Sequence, residues 1–272
     1  MARVLAISSQ VVRGHIGLRA VVPGLERLGH DVWPMPTILL SNHPGHSHAA
    51  GQRVEAATLD QLIEALDRNG WLDEIDAVLT GYFPSSEHVS VAAALISRLK
   101  SARTVRYLCD PVLGDEPKGL YIDTAAADAI RDTLVALADV ITPNRFELGW
   151  LTGRPCASIA DLKTAARALS DGTVVVTSAA RRDDALDTLL LNASESYRTS
   201  VTWRPDVPHG TGDFFSSLFL GHLLNGRTDG EALARAAAGV DAAIGASAGR
   251  DELTLEPQDA WAAAIPLALE SL

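Results

Sequence analysis

Short runs of β-branched and apolar residues alternate along this chain with longer stretches whose apolar residues recur every three or four positions, and this alternation constrains the fold more than any other feature. Strands are predicted at residues 4–8, 31–34, 77–81, 104–109, 140–142 and 173–177, and helices at 19–28, 59–69, 88–100, 123–137, 145–151 and 159–169. Strands that are apolar throughout need cover on both faces, so the pattern predicts an α/β fold with a mostly parallel sheet between two layers of helices. The rhythm breaks at 185–203, where β-like runs at 186–191 and 197–203 flank Asn192-Ala193-Ser194-Glu195 and predict a small hairpin at one sheet edge. Helices beginning at Thr211 and Asp229 follow, the second rich in alanine and suited to close packing. There is no repeat, low-complexity tract or linker, so residues 1–272 are expected to form one domain.

Charge narrows the function. A net charge of −11 with no block of lysines or arginines argues against nucleic acid as a partner, because a phosphate backbone needs a basic surface. Small anionic ligands stay open where local donors and a cation offset the global charge. Cys109 and Cys156 have no metal-like spacing and lie in apolar segments, as free thiols of a reducing compartment do. No apolar run approaches the roughly 18 residues of a membrane span, and the N-terminal segment has the pattern of a strand, so no membrane association and a cytoplasmic location are expected.

The chemistry concentrates where strands and helices meet, since ligands of parallel sheets sit beyond the carboxyl ends of the strands. Gly210-Thr211-Gly212-Asp213 runs directly into the apolar helix that starts at Thr211. Glycines let backbone approach a ligand, and the amides of a helix start form an anion site. A carboxylate there repels a phosphate but suits a general base, with the neighbouring amides holding charge on a transferred phosphoryl group; an ordinary Asp cap on a glycine turn is the alternative. Asp110 and Asp115 bracket a Pro-Val-Leu-Gly turn after the fourth predicted strand and offer two carboxylates to a Mg²⁺–nucleotide, or simply cap a turn. After the fifth strand come Thr142, Asn144 and Glu147; Asn144 and Glu147 share a face at a helix start, where water-mediated Mg²⁺ ligation and a plain capping box are both open. The hydroxyls of Thr177 and Ser178 end the next strand, and Lys118 lies in a glycine-containing loop, either solvated or reaching a phosphate. The segment Gly14-His15-Ile16-Gly17 has neither the Rossmann nor the P-loop spacing. Residues 41–48 hold three of the eight histidines without a carboxylate or cysteine, which favours a substrate loop over a metal site.

Taken in order, Ile7 to His15, Ser41-Asn42-His43, Thr80-Gly81-Tyr82, Cys109 to Asp115, Ile141 to Glu147 and Gly210 to Asp213 resemble the ribokinase superfamily, and within it the pyridoxal kinases. Gly-Thr-Gly-Asp and Asn-x-x-Glu mark the superfamily; the segments around Ser9, His43 and Tyr82 narrow it. The resemblance spans nearly the whole chain and implies a single-domain, ribokinase-like three-layer sandwich, typically a homodimer whose site is covered by a loop rather than a separate lid. It implies an ATP-dependent kinase for the 5′-hydroxymethyl group of pyridoxal, with Mg²⁺. Asp213 would be the base, and Gly210, Thr211 and Gly212 the anion hole. Asp110, Asn144 and Glu147 would organise Mg²⁺ and the ATP phosphates, Asp110 and Glu147 being the metal-side carboxylates. Asp115, Thr142, Thr177 and Ser178 would lie nearby on the nucleotide side, and Arg204, Asp206 and Val207 would border the adenine. Ser9 would bond the pyridine nitrogen or its hydroxyl, with His43 and Tyr82 flanking the ring.

One segment departs from that pattern. Many pyridoxal kinases follow Ser-Asn-His with Thr and then, two residues on, Tyr; here Pro44 and His46 stand in those places. Proline has no hydroxyl or N–H, and His46 exchanges a phenol for a titratable ring, so the vitamer preference is affected more than the chemistry. The alternatives are a kinase of hydroxymethylpyrimidine or another small alcohol on the same fold, and a non-catalytic B6- or nucleotide-binding protein. The residues Ser9-Gln10-Val11-Val12 argue against the first, and Asp213 with Asn144 and Glu147 against the second, since binding alone needs no base.

Overall fold

The computed structural model describes residues 1–257 and 259–272. In chain order the elements are β1 (Arg3–Val11), α1 (Leu18–Arg27), β2 (Asp31–Leu40), β3 (Gly51–Arg53), α2 (Ala56–Arg68), β4 (Ala77–Thr80), α3 (Ser86–Ala102) and β5 (Arg106–Cys109). There follow β6 (Gly114–Asp115), β7 (Gly119–Leu120), α4 (Thr124–Ala129), a π turn (Ile130–Leu134), α5 (Val135–Leu137), β8 (Val140–Ile141), α6 (Arg145–Thr152) and α7 (Ile159–Leu169). The chain closes with β9 (Thr173–Arg182), β10 (Ala185–Leu191), β11 (Ser196–Thr202), α8 (Thr211–Leu224), α9 (Asp229–Ala246), α10 (Asp259–Ala262) and β12 (Glu270–Ser271).

One ten-stranded sheet, in the order β12-β11-β10-β9-β8-β5-β4-β1-β2-β3, forms the middle layer. From β2 to β9 its pairings are all parallel, while β10, β11, β12 and β3 join antiparallel at the two edges. The two-residue side-chain period of a strand explains the layering. On β1, Val4 and Ala6 face a core with α1, α8 and α9, while Leu5 and Ile7 face a second core with α2 and α3. A third cluster packs α6 and α7 against β9 and β10.

The expected strands and helices are all present, as is the hairpin, in which β10 and β11 pair antiparallel around the turn at Asn192. Three local departures have physical causes. Strand β2 runs past Pro34 and Pro36 to Leu40, because opposite those prolines it pairs only with β1 and its other side is an open edge where a missing N–H costs nothing. The helix expected over 123–137 is split by the π turn, a widened turn that keeps both Ile130 and Leu134 pointing into the core. Strands β3, β6, β7 and β12 are two or three residues long, too short to show a period in the sequence. No helix among the described residues is long and apolar enough to cross a membrane.

Candidate active site

Parallel pairing brings the carboxyl ends of β1, β4, β5, β8 and β9 to one rim of the sheet, and helix α8 begins there. Its N-cap, Gly210, has φ 98°, and a Cβ at that position would collide with the carbonyl of His15, so only glycine fits. No side chain caps the helix, and a Cβ built on Gly212 would meet nothing within 4 Å. Thr211, Gly212 and Asp213 therefore present their amides to open space at the positive end of the helix dipole. Burial pushes the Asp213 pKa up to about 6, while the nearby backbone N–H of Gly17 favours the ionised carboxylate. Gly17 has φ 53°, and a Cβ there would strike the Ser9 carbonyl and hydroxyl, so the same glycine seats Ser9 below it and fixes the base above it.

Tyr82 is held by its backbone. Its N–H donates to Ser8 Oγ at 3.1 Å and its carbonyl accepts from Thr37 Oγ1 at 2.8 Å. Thr37 is free to do so because the β1–β2 register shifts between Ser8 and Ser9, leaving Thr37 out of the pairing; such bulges commonly re-aim side chains beside active sites.

On the opposite side, buried Asp110 accepts Ser216 Oγ at 2.9 Å, and the Thr142 hydroxyl reaches the same Ser216 oxygen at 2.9 Å. Burial, and then the charge of Asp213, pushes Asp110 up to about 8. The hydroxyl of Thr142, expected on the nucleotide side, is thus engaged inside the protein. Asn144 and Glu147 form the capping box: Asn144 Oδ1 accepts Glu147 N at 2.9 Å and Glu147 Oε2 accepts Asn144 N at 2.8 Å. Glu147 Oε1 also takes Leu113 N at 2.9 Å, and Asn144 Nδ2 donates to Gly114 O at 2.8 Å, so the box ties the Asp110–Asp115 turn to α6. Burial and the charge of Asp110 raise the Glu147 pKa well above the usual range. Asp115 Oδ1 is buried without a hydrogen-bond partner among the described residues and is available to a donor or cation. Among the described residues no cluster of three or more His, Cys, Asp or Glu closes on a metal position. The unpartnered Asp115 oxygen and the buried Asp110 carboxyl suit a Mg²⁺ held by one or two carboxylates and completed by water and substrate phosphates, the usual arrangement for this hard cation.

The outer nucleotide-side residues are less convergent. Thr177 donates its N–H to Pro143 O at 3.0 Å, and exposed Ser178 has φ 48°. Arg204 is ion-paired with Asp241 on α9, Asp206 has φ 54° and Val207 is exposed, so Arg204 stands engaged with the helix rather than extended into the site. Lys118 is exposed in the β6–β7 turn.

Over the rim lies the loop that carries His43. Its ring stacks on His209 with centroids 3.7 Å apart and planes at 19°, and its Nδ1 accepts Gly45 N at 3.0 Å. Burial, followed by the charges of His209, Lys118 and His46, lowers the His43 pKa to about 4. Pro44 is exposed. His46 Nε2 contacts Glu252 Oε1 at 2.9 Å, an oxygen that also accepts Arg13 Nη1 at 2.9 Å. His46, expected on the substrate side, thus has its Nε2 engaged by Glu252, and its ring straps the loop to the segment around Glu252. Gly17, Thr37, Ser216, His209 and Glu252 went unread in the sequence. Only Gly17 left a signal there, in a Gly-x-x-Gly run that matched no nucleotide fingerprint.

The profile of the phosphomethylpyrimidine kinase family matches residues 38–255. A pyridoxal kinase PdxY of Corynebacterium diphtheriae is 35% identical over 244 residues, covering 87% of this chain and 86% of that protein. One of Pseudomonas entomophila is 37% identical over 245 residues, covering 87% and 84%. Among solved structures, Leishmania donovani pyridoxal kinase in complex with ADP and pyridoxine superposes with a TM-score of 0.91 at 27% identity, covering 99% of both chains. A putative phosphomethylpyrimidine kinase of Bacteroides thetaiotaomicron superposes with a TM-score of 0.90 at 27% identity, covering 100% of this chain and 98% of the other.

Proposed function

We infer that this chain, which belongs to the phosphomethylpyrimidine kinase family and within it to the pyridoxal kinases, transfers the γ-phosphoryl group of ATP to the 5′-hydroxymethyl group of a B6 vitamer, pyridoxal first among them. The observation that carries the reading is buried Asp213 in the first turn of α8, beside the Gly17 N–H and next to first-turn amides that no side chain among the described residues caps. In the proposed mechanism Ser9, His43 and Tyr82 orient the pyridine ring so that its hydroxymethyl oxygen meets Asp213. Asp213 accepts the hydroxyl proton as the oxygen attacks the γ-phosphorus, and the bond to the bridging oxygen of ADP breaks. The amides of Thr211, Gly212 and Asp213 take up the charge on the phosphoryl oxygens. Asp110 and Glu147 would hold Mg²⁺, which would neutralise the ATP phosphates. Asp115 and the ends of β8 and β9 border the nucleotide.

Hydroxymethylpyrimidine as the preferred substrate is not favoured, since the curated relatives are pyridoxal kinases. The same reading makes the protein a cytoplasmic homodimer, which sedimentation at micromolar concentration would check against a 28.8 kDa monomer. The deciding assay is ATP-dependent phosphorylation of pyridoxal, pyridoxine, pyridoxamine and hydroxymethylpyrimidine side by side. Pyridoxal is expected to show the highest kcat/KM; preferential turnover of hydroxymethylpyrimidine would reverse the substrate assignment.

A further inference from the structure

We propose that His209 is a positioning residue for the substrate ring: stacked on His43, it fixes the plane that His43 offers to the heteroaromatic substrate and registers the loop of residues 41–48 against the anion hole. The proposal rests on the kinase reading above for the direction in which His43 works, and on geometry for the rest. Two contacts determine the His43 ring. Gly45 N–H donates to its Nδ1 at 3.0 Å, which makes Nδ1 the acceptor and leaves the proton on Nε2. The second contact is the near-parallel face of His209, 3.7 Å away at 19°. Together they set both the tautomer and the tilt of the ring.

The stack also links the loop of residues 41–48 directly to the residue that precedes the anion hole. His209 immediately precedes Gly210, whose backbone is locked at φ 98° against the His15 carbonyl, so the His209 backbone has little freedom relative to α8. The loop bends tightly over the pair, since a Cβ on Gly45 would lie 2.7 Å from His43 Nδ1 and 3.6 Å from His209 Nε2. At its other end the loop is strapped by His46 to Glu252. The stack is thus a direct side-chain contact between the ring pocket and the segment that opens the anion hole. Small misplacements of a reacting group cost large factors in rate, so a contact that joins the two is a specificity element. Both rings are kept neutral by burial and by the nearby charges of Lys118 and His46, which allows them to face each other without repulsion.

The test is a mutant cycle on the heteroaromatic alcohol that the parent enzyme phosphorylates best. A parent that prefers another alcohol to pyridoxal overturns the vitamer assignment and still leaves the stack tested. His209→Ala should raise the KM for that alcohol by about twofold to tenfold, the worth of an aromatic pair, with the KM for ATP unchanged within a factor of about two. His209→Phe, which restores a flat face, should recover most of the loss, and His209→Leu should not. In the double variant with His43→Ala, the His209→Ala change should add nothing further. In ¹H–¹³C spectra of the ligand-free enzyme, the His43 ring protons should lose their ring-current shift in His209→Ala and regain one in His209→Phe. Independent, multiplying effects of the two alanine variants, or equal KM values for His209→Leu and His209→Phe, would overturn the proposal.

Discussion

At the scale of single residues, the site trades stability for reactivity. Asp213 has a carboxyl pKa pushed from 3.8 to about 6 by burial. A folded-state pKa above the unfolded value means that the folded chain holds this proton more tightly. The contribution of the group to stability is therefore greatest below about pH 4 and is lost as pH rises through about 6. In neutral solution the ionised base costs stability, and Asp213→Asn should raise Tm at about pH 8, by some 2–4 °C for each kcal/mol recovered in a chain of this size. The same variant should lose roughly two to four powers of ten in kcat, the usual worth of a general base, and its residual activity should lack the fall in kcat/KM that the parent shows as pH drops below about 6. Near-normal turnover would remove Asp213 from the role of base. Asp213 was legible in the sequence because its glycines are contiguous with it. Ser216 was not: three positions further on, it looks like any serine in an apolar helix, and its bond to Asp110 exists only because β5 and α8 converge at the rim. His209 was hidden in the same way, since its partner lies in a loop more than 160 residues earlier.

At the scale of elements, most strands and helices could be read from their period, and the exceptions lie where tertiary pairing outweighs local signals. Pro34 and Pro36 look like strand breakers, yet β2 continues through them because its outer edge is open there. That extension delivers Thr37 to Tyr82 and carries the chain to the His43 loop, so the part of β2 missed in the sequence is the part that serves the site. For Asn144 and Glu147 the sequence left a cap and a metal role open, and the structure builds the cap from four hydrogen bonds spanning Asn144, Glu147, Leu113 and Gly114. Glu147→Gln tests what this element does. It exchanges one buried acceptor oxygen for an amide that must face a backbone N–H, which costs about 1–3 kcal/mol. Tm should fall by several degrees, and because the box holds the Asp110–Asp115 turn, the Mg²⁺ concentration for half-maximal activity should rise. A lowered Tm with an unchanged Mg²⁺ titration would confine Glu147 to a structural role.

At the scale of the whole molecule, the parallel order of β2, β1, β4, β5, β8 and β9 gathers their carboxyl ends at one rim, and the sequence already implied this from alternation alone. The consequence for charge was less visible, because Asp110, Asp115, Glu147 and Asp213 are scattered along the chain and converge only in three dimensions. A chain of net charge −11 thus lines its nucleotide side with carboxylates. The positive end of α8 supplies only a partial charge of about half a unit against them. Free ATP, a polyanion, should bind poorly unless a divalent cation intervenes. Titration calorimetry without Mg²⁺ is expected to give an ATP Kd at least about tenfold weaker than with saturating Mg²⁺, an electrostatic penalty of about 1.4 kcal/mol or more. Raising the salt concentration in the Mg²⁺-free titration should recover part of the loss where the repulsion comes from exposed charge, and little where it comes from buried Asp213 or, above about pH 8, from buried Asp110, since salt screens buried charge poorly. Above about pH 8, where Asp110 is ionised, replacing it by Asn should narrow the gap between the two titrations by weakening the Mg²⁺-loaded complex and relieving the repulsion in the Mg²⁺-free one. Equal ATP affinity with and without Mg²⁺ in the parent would mean that the amides of α8 outweigh the carboxylates, and the metal-side assignment of Asp110 would fall with it.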